Sequence, residues 1–230
     1  GTARYPNGSV YTGAFEDGRP HGQGRMVFAD GSSYEGNWDA GRIMGQGTRR
    51  YVTGVVYTGQ FDDSQPHGTG TMTRPGGLTY EGEWVHGARE GQGTITYPDG
   101  SVYTGGMLAD ERHGEGRLTR PDGTLYDGEW AAGALSGAGV LTLPGGERRE
   151  GTFEQGMLQG VGRLIMADGA IYEGAFVDDR RQGRGRLTTA GGYVYSGDWV
   201  ADRIDGQGVM TAPDGTRYDG QLRDGVPDGE

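Results

Sequence analysis

Cysteine and lysine are both absent from this 230-residue chain. Without cysteine there is no disulfide framework and no thiolate metal site, although the absence assigns no compartment. Without lysine, all 21 cations are arginine, which removes the phosphate-binding lysine of P-loops, the Schiff-base lysine and the kinase lysine together. Long hydrophobic runs are missing as well. No apolar stretch reaches the roughly 18 residues of a membrane-spanning helix, and no signal peptide is visible. Basic charge is scarce: the formal net charge is −11, which argues against a general nucleic-acid binder. Apolar residues make up only 33% of the chain, little for a globular core.

What is abundant is glycine. The 50 glycines and 9 prolines form about a quarter of the chain, a composition that without a period indicates low complexity or disorder. Here the glycines are phased. The stretch Tyr80-Glu81-Gly82-Glu83-Trp84 recurs as Tyr34-Glu35-Gly36-Asn37-Trp38, Tyr126-Asp127-Gly128-Glu129-Trp130 and Tyr195-Ser196-Gly197-Asp198-Trp199, with looser copies from Tyr11, Tyr57, Tyr103, Tyr172 and Tyr218. The period is 23 residues without insertion, and the copy between Tyr126 and Tyr172 is Arg149-Glu150-Gly151-Thr152-Phe153. Further glycine series run from Gly22 to Gly229, from Gly24 to Gly208 and from Gly8 to Gly215. Such phasing predicts an ordered repeat array spanning residues 1–230 as one domain, each unit touching mainly its neighbours.

Within one unit, Tyr80, Gly82 and Trp84 alternate with Glu81 and Glu83, the period of a strand with one apolar and one charged face. Residues 85–90 then read as a connection, Gly91–Tyr97 as a second strand, and Pro98-Asp99-Gly100 as a closing turn. Each unit is therefore a β-hairpin, and the expected fold is all-β: an elongated, twisted antiparallel meander of about ten hairpins. Glycine weakens a strand, so the strand glycines need a reason. A residue without Cβ leaves room for a neighbouring ring to lie flat over the backbone, which would let an apolar-poor chain pack one sheet face on itself.

Tyr-x-Gly-x-Trp, a connection, His-Gly-x-Gly and a closing Asp-Gly together resemble the MORN (membrane occupation and recognition nexus) repeat. Full repeats start at residues 11, 34, 57, 80, 103, 126, 149, 172 and 195, with partial ones at 1–10 and 218–230. The resemblance implies a hairpin array that serves as a non-enzymatic interaction scaffold in the cytoplasm, at cytoskeletal structures or peripheral to a membrane, with no cofactor. The alternative it implies is a module that binds anionic phospholipid. Nothing in the repeats supplies the unique residues that a catalytic site converges in one pocket.

Departures from the motif matter. Arg149 stands in the tyrosine phase, and Met107 and Leu222 in that of the second aromatic. Ser64, Asp110, Asp179 and Asp202 stand where other connections have glycine, so these four are expected to use a different turn. His21, His67 and His113 recur every 46 residues. Two repeats separate them by roughly 19 Å, too far for one coordination shell, so they read as turn residues and no metal site is expected. The Gly-x-Gly pairs open strands, not helices, and lack the context of a phosphate loop. The Asp-Gly turns lack the alternating ligands of a calcium loop, and Asn7-Gly8-Ser9 reads as turn chemistry.

Two surfaces are candidate sites. The aromatic face, with Tyr34, Trp38, Tyr57, Phe61, Tyr80, Trp84, Tyr126, Trp130, Tyr195 and Trp199, is expected to pack partly on itself and to meet a protein partner. On the charged face, acidic and Arg/Thr rows favour cross-strand pairing, and Arg180, Arg181, Arg184 and Arg186 form a candidate patch for a lipid headgroup or an acidic partner. The chain opens on a second strand and closes where another would begin. This predicts a segment of a longer array that self-associates as a homodimer.

Overall fold

In a computed structural model, residues 1–228 are described; Gly229 and Glu230, which end the second glycine series and the last partial repeat, lie outside the described residues. The chain forms two compact units, residues 1–114 and the residues from 115 onward. Among the described residues there is no helix. In the first unit each strand from Thr2–Arg4 to Ala88–Thr96 pairs antiparallel with the next in sequence. The second unit repeats that pattern from Leu125–Ala131 to Val226–Pro227. The protein is an all-β hairpin meander, as the two-residue alternation requires.

A repeat is one seven-residue strand followed by one nine-residue strand, for example Thr79–Val85 and Ala88–Thr96. The long strand begins three residues earlier than its sequence suggests, because the turn is only His86-Gly87, at φ 47° and 88°. Both φ values are positive, as in the primed turns whose twist matches that of paired strands.

The four connections without glycine do not use a different turn. Ser64, Asp110, Asp179 and Asp202 have φ of 69°, 70°, 66° and 71°, a conformation that costs a residue with a Cβ about 1–2 kcal/mol. Their side chains offset this by reaching back one repeat. Asp110 Oδ1 accepts from Arg89 N (3.1 Å), Asp179 Oδ1 from Leu158 N (2.9 Å), Asp202 Oδ1 from Arg181 N (3.0 Å) and Ser64 Oγ from Ile43 N (3.3 Å). Successive turns are stitched by backbone as well, as where Gly87 N donates to the carbonyl of Pro66 (2.8 Å).

The tyrosine ring lies over the long-strand glycine of its own hairpin. A Cβ built on Gly47 would stand 2.2 Å from the Tyr34 hydroxyl oxygen, and one on Gly70 2.3 Å from that of Tyr57. The hydroxyl continues past the glycine and donates to a carbonyl where the register shifts before the tryptophan: Tyr80 to Glu83 (2.9 Å), Tyr34 to Asn37 (3.0 Å). The ring thus fills the space left by glycine and satisfies a carbonyl that the irregular ladder frees.

Arg149 breaks this scheme, and the structure shows the replacement. Leu158, from the long strand of the same hairpin, is fully buried and packs over Gly151 and Gly162. The Arg149 guanidinium turns outward to Glu147 (2.8 Å) and Asp179 (3.0 Å). Met107 and Leu222 are buried in place of the second aromatic.

Candidate binding surface

Within each unit the aromatic residues assigned to a partner-binding face line one side of the strands, and their rings form the core. Trp38, Trp84, Trp130 and Trp199 keep 5% or less of their surface exposed, as do Phe61 and the five tyrosines at 34, 57, 80, 126 and 195. Tyr11, Tyr34, Tyr57, Tyr126 and Tyr172 each receive ring edges from their own repeat and the next, while Tyr80 and Tyr195, followed by Met107 and Leu222 in the next repeat, meet the indole of their own repeat. Tyr57 packs against Phe61 (5.0 Å between centroids, 89°) and Trp84 (5.1 Å, 81°), and Tyr34 against Trp38 and Phe61 at 5.3 and 5.1 Å. Three indole N–H groups are spent backward, Trp38, Trp84 and Trp130 donating to the carbonyls of Gly24, Gly70 and Gly116 at 3.0–3.1 Å, while that of Trp199 is buried without an acceptor. A partner approaching this side therefore meets mainly what surrounds the spine.

Shallow apolar grooves flank the spine in the first unit. One, of about 670 Å³, is lined by Tyr51, Val55, Tyr57, Pro66, Met72, Trp84 and His86. A smaller one, of about 380 Å³, is lined by Tyr5, Ser9, Pro20, Met26 and Phe28. These are one site repeated: Tyr5 and Tyr51, Pro20 and Pro66, and Met26 and Met72 are each 46 residues apart. The walls lie in the loop after a long strand and in the first residues of the next one, between hairpins. The Tyr-x-Gly-x-Trp consensus lies on the short strands and does not single these residues out. The signal was the 46-residue recurrence of proline and methionine, on the same period as His21 and His67. Between the grooves the Arg49 guanidinium lies 4.6 Å from the Phe28 ring centre and 5.2 Å from that of Tyr51, which gives the apolar rim one cation.

The four arginines at 180–186 are on a strand, Arg180–Thr188, not in a connection. They do not share one surface. Arg181 turns to the aromatic side, stacks 4.4 Å from the Trp199 ring centre and bonds Asp202 through Nε at 3.0 Å. Arg184 and Arg186 are on the other side, where Arg184 meets Asp198 (3.5 Å) and Arg186 stands opposite Glu173 and Ser196. Arg180, Arg184 and Arg186 are exposed, and acids opposite Arg184 and Arg186 offset their charge, while Arg180 stands opposite Val177. Elsewhere on the charged face the expected rows form, with Arg25 opposite Glu35, Thr71 opposite Glu81, and Arg163 near Glu150 and Glu173.

Burial sets the acid–base character of the spine. It pushes the phenols of Tyr34, Tyr80, Tyr103, Tyr126 and Tyr172 up to about 12 from an ordinary 10.0, because a phenolate there would be stripped of water. In the loops between hairpins, Asp30, Asp122 and Asp214 are held below the usual carboxylate value by hydrogen bonds from Ser32, Thr124 and Thr216.

Among solved structures, the chain is similar to the TCP10 domain of Danio rerio CPAP in complex with a peptide of Danio rerio STIL, at 17% identity over 96% of this chain and 93% of that one, with a TM-score of 0.50. The same wild-type domain without the peptide aligns with a TM-score of 0.48 at 17% identity, over 96% of this chain and 99% of that one. Among characterised proteins, 42 residues are 43% identical to phosphatidylinositol 4-phosphate 5-kinase 1 of Oryza sativa subsp. japonica. That match covers 18% of this chain and 5% of the kinase, so the kinase is far longer than the shared segment. The MORN repeat model matches ten times in succession, at residues 11–33, 34–56, 57–79, 80–102, 103–125, 126–148, 150–171, 172–192, 195–217 and 218–230. With the tyrosine spine over its glycines and the 23-residue hairpins already in view, these matches make the chain a member of the MORN repeat family.

Proposed function

We propose that this chain is a non-enzymatic protein-interaction module that holds an extended, apolar segment of a protein partner in the grooves beside its aromatic spine. The observation that carries the reading is the recurrence of one groove two repeats apart, since two equivalent sites on one rigid sheet favour a long or doubly presented segment. The acidic hairpin ends, including Glu16, Asp17, Asp39, Asp62 and Asp63, favour a segment with basic flanks. A peptide is also what the similar TCP10 domain carries. The expected setting is the cytoplasm, at cytoskeletal or membrane-peripheral structures.

Selection of a displayed random peptide library against the whole chain tests this. Selected peptides should carry apolar residues with arginine or lysine beside them. Tyr51→Ser together with Val55→Ser should weaken their binding by about tenfold, or roughly 1.4 kcal/mol, with the melting temperature unchanged. Binding that ignores this pair but is lost on charge reversal of Arg180, Arg184 and Arg186, alongside salt-sensitive pelleting with anionic vesicles, would replace the reading with the phospholipid one. A homodimer is the remaining proposal about partners, and light scattering that holds at 24.4 kDa across a concentration series would exclude it.

A further inference from the structure

We infer that Asp62, His67 and His86 form a binding site for one borderline divalent cation of the zinc class. Their donor atoms all lie within 4.8 Å of one another. Asp62 ends the short strand Val56–Asp62, His67 is the third residue of the long strand Gln65–Thr73, and His86 is the first turn residue of the next hairpin. The two imidazoles face each other at 5.2 Å between centroids, tilted by 42°. Two histidines and one carboxylate are a donor set that suits zinc, cobalt or nickel, and they leave a fourth position to water or to a partner's side chain.

Comparison with the equivalent hairpin shows what is unusual here. Two repeats earlier, His21 Nδ1 is 3.2 Å from Glu16 Oε2 and 3.5 Å from Asp39 Oδ1. At His67 the glutamate has shortened to Asp62 and the second acid has become Val85. The same nitrogen, His67 Nδ1, is buried without a hydrogen-bond partner. A buried polar atom left unpaired is costly, and a cation held with Asp62 and His86 would satisfy the group. The other hairpins also fail to supply this set. The three positions read Glu16, His21 and Ala40 one way along the chain, and Leu108, His113 and Ala132 the other. Donors around a tetrahedral zinc stand roughly 3.3 Å apart, so the cluster must contract. His86, exposed at a hairpin tip, is the residue with freedom to move inward. His86 also lines the larger groove, but the cation site does not depend on the groove holding a peptide.

Titration of zinc alone, and of cobalt followed by its visible absorption, into the untagged full chain tests the inference. One cation per chain is expected, with a rise in melting temperature. His67→Gln and His86→Ala should each weaken binding by about tenfold or more. Both variants install residues already present at the same repeat position, Gln159 and Gln182 for the first and Ala40 and Ala132 for the second, so both should fold, which circular dichroism checks. His21→Gln and His113→Gln should leave the affinity unchanged. No saturable binding to the wild-type chain would overturn the site, as would binding that survives either His67→Gln or His86→Ala.

Discussion

Trp84→Ala is expected to lower the free energy of unfolding by about 3–5 kcal/mol, the range for removing a large ring from a packed core. The indole is 4% exposed and stands edge-on between two tyrosines, with centroids 5.1 Å from Tyr57 and 5.2 Å from Tyr80. Its N–H donates to the carbonyl of Gly70 at 3.1 Å. Truncation therefore removes two edge-to-face contacts, each worth about 0.5–1.5 kcal/mol beyond burial. It also empties a ring-sized volume and leaves a carbonyl of the preceding hairpin short of a donor. Gly68, opposite Trp84 on the preceding strand, has no side chain to collapse into the gap. Urea unfolding followed by far-ultraviolet circular dichroism measures the effect. A change near zero would show that the ring contributes to partner binding and not to stability.

How much of this was legible in the sequence follows from what kind of feature each residue makes. Tyr80, Gly82 and Trp84 are spaced by strand geometry, so their common face could be read directly. The missing Cβ at Gly70 and Gly93 implied a ring above them before any coordinates. Turn positions were harder, since the chemistry that permits positive φ at Asp110 or Asp202 lies 21 residues away, in a backbone N–H of the previous hairpin. Arg149 marked a weak repeat, but its compensation by Leu158 depends on which of two neighbouring strands supplies the ring's volume. The arginines at 180–186 looked like one patch because they are close in sequence. Strand alternation sends Arg181 to Trp199 and the others to the opposite face. His86 was invisible to a search by period, because it stands 19 residues from His67, not 23 or 46. Contacts within one hairpin, in short, follow from the repeat. Contacts between hairpins need the register, which sets residues about 19 to 21 positions apart side by side.

Alkali should unfold the array between pH 10 and about 12, and the sign follows from the spine. The unfolded-state phenol ionises near its ordinary 10.0, while burial holds Tyr34, Tyr80, Tyr103, Tyr126 and Tyr172 up at about 12, with Tyr57 raised further. A folded pKa above the unfolded one means that the native state keeps protons that the unfolded chain gives up. The stabilisation is complete below pH 10 and is lost as pH rises through the folded values. The hydroxyls make the loss steeper in structural terms. Each proton removed is the one donated to a carbonyl such as that of Glu83 or Glu129, and the phenolate left behind faces that oxygen without water. Because every hairpin but the one with Arg149 carries a spine tyrosine, ionisation of one ring opens a path to its neighbours, and the transition should be cooperative. Absorbance of tyrosinate near 295 nm and the β-sheet circular dichroism, recorded on the same alkaline titration, should change together. Full ionisation close to pH 10 with the β-sheet signal intact would mean that the rings are solvated and that the spine is not what holds the hairpins together.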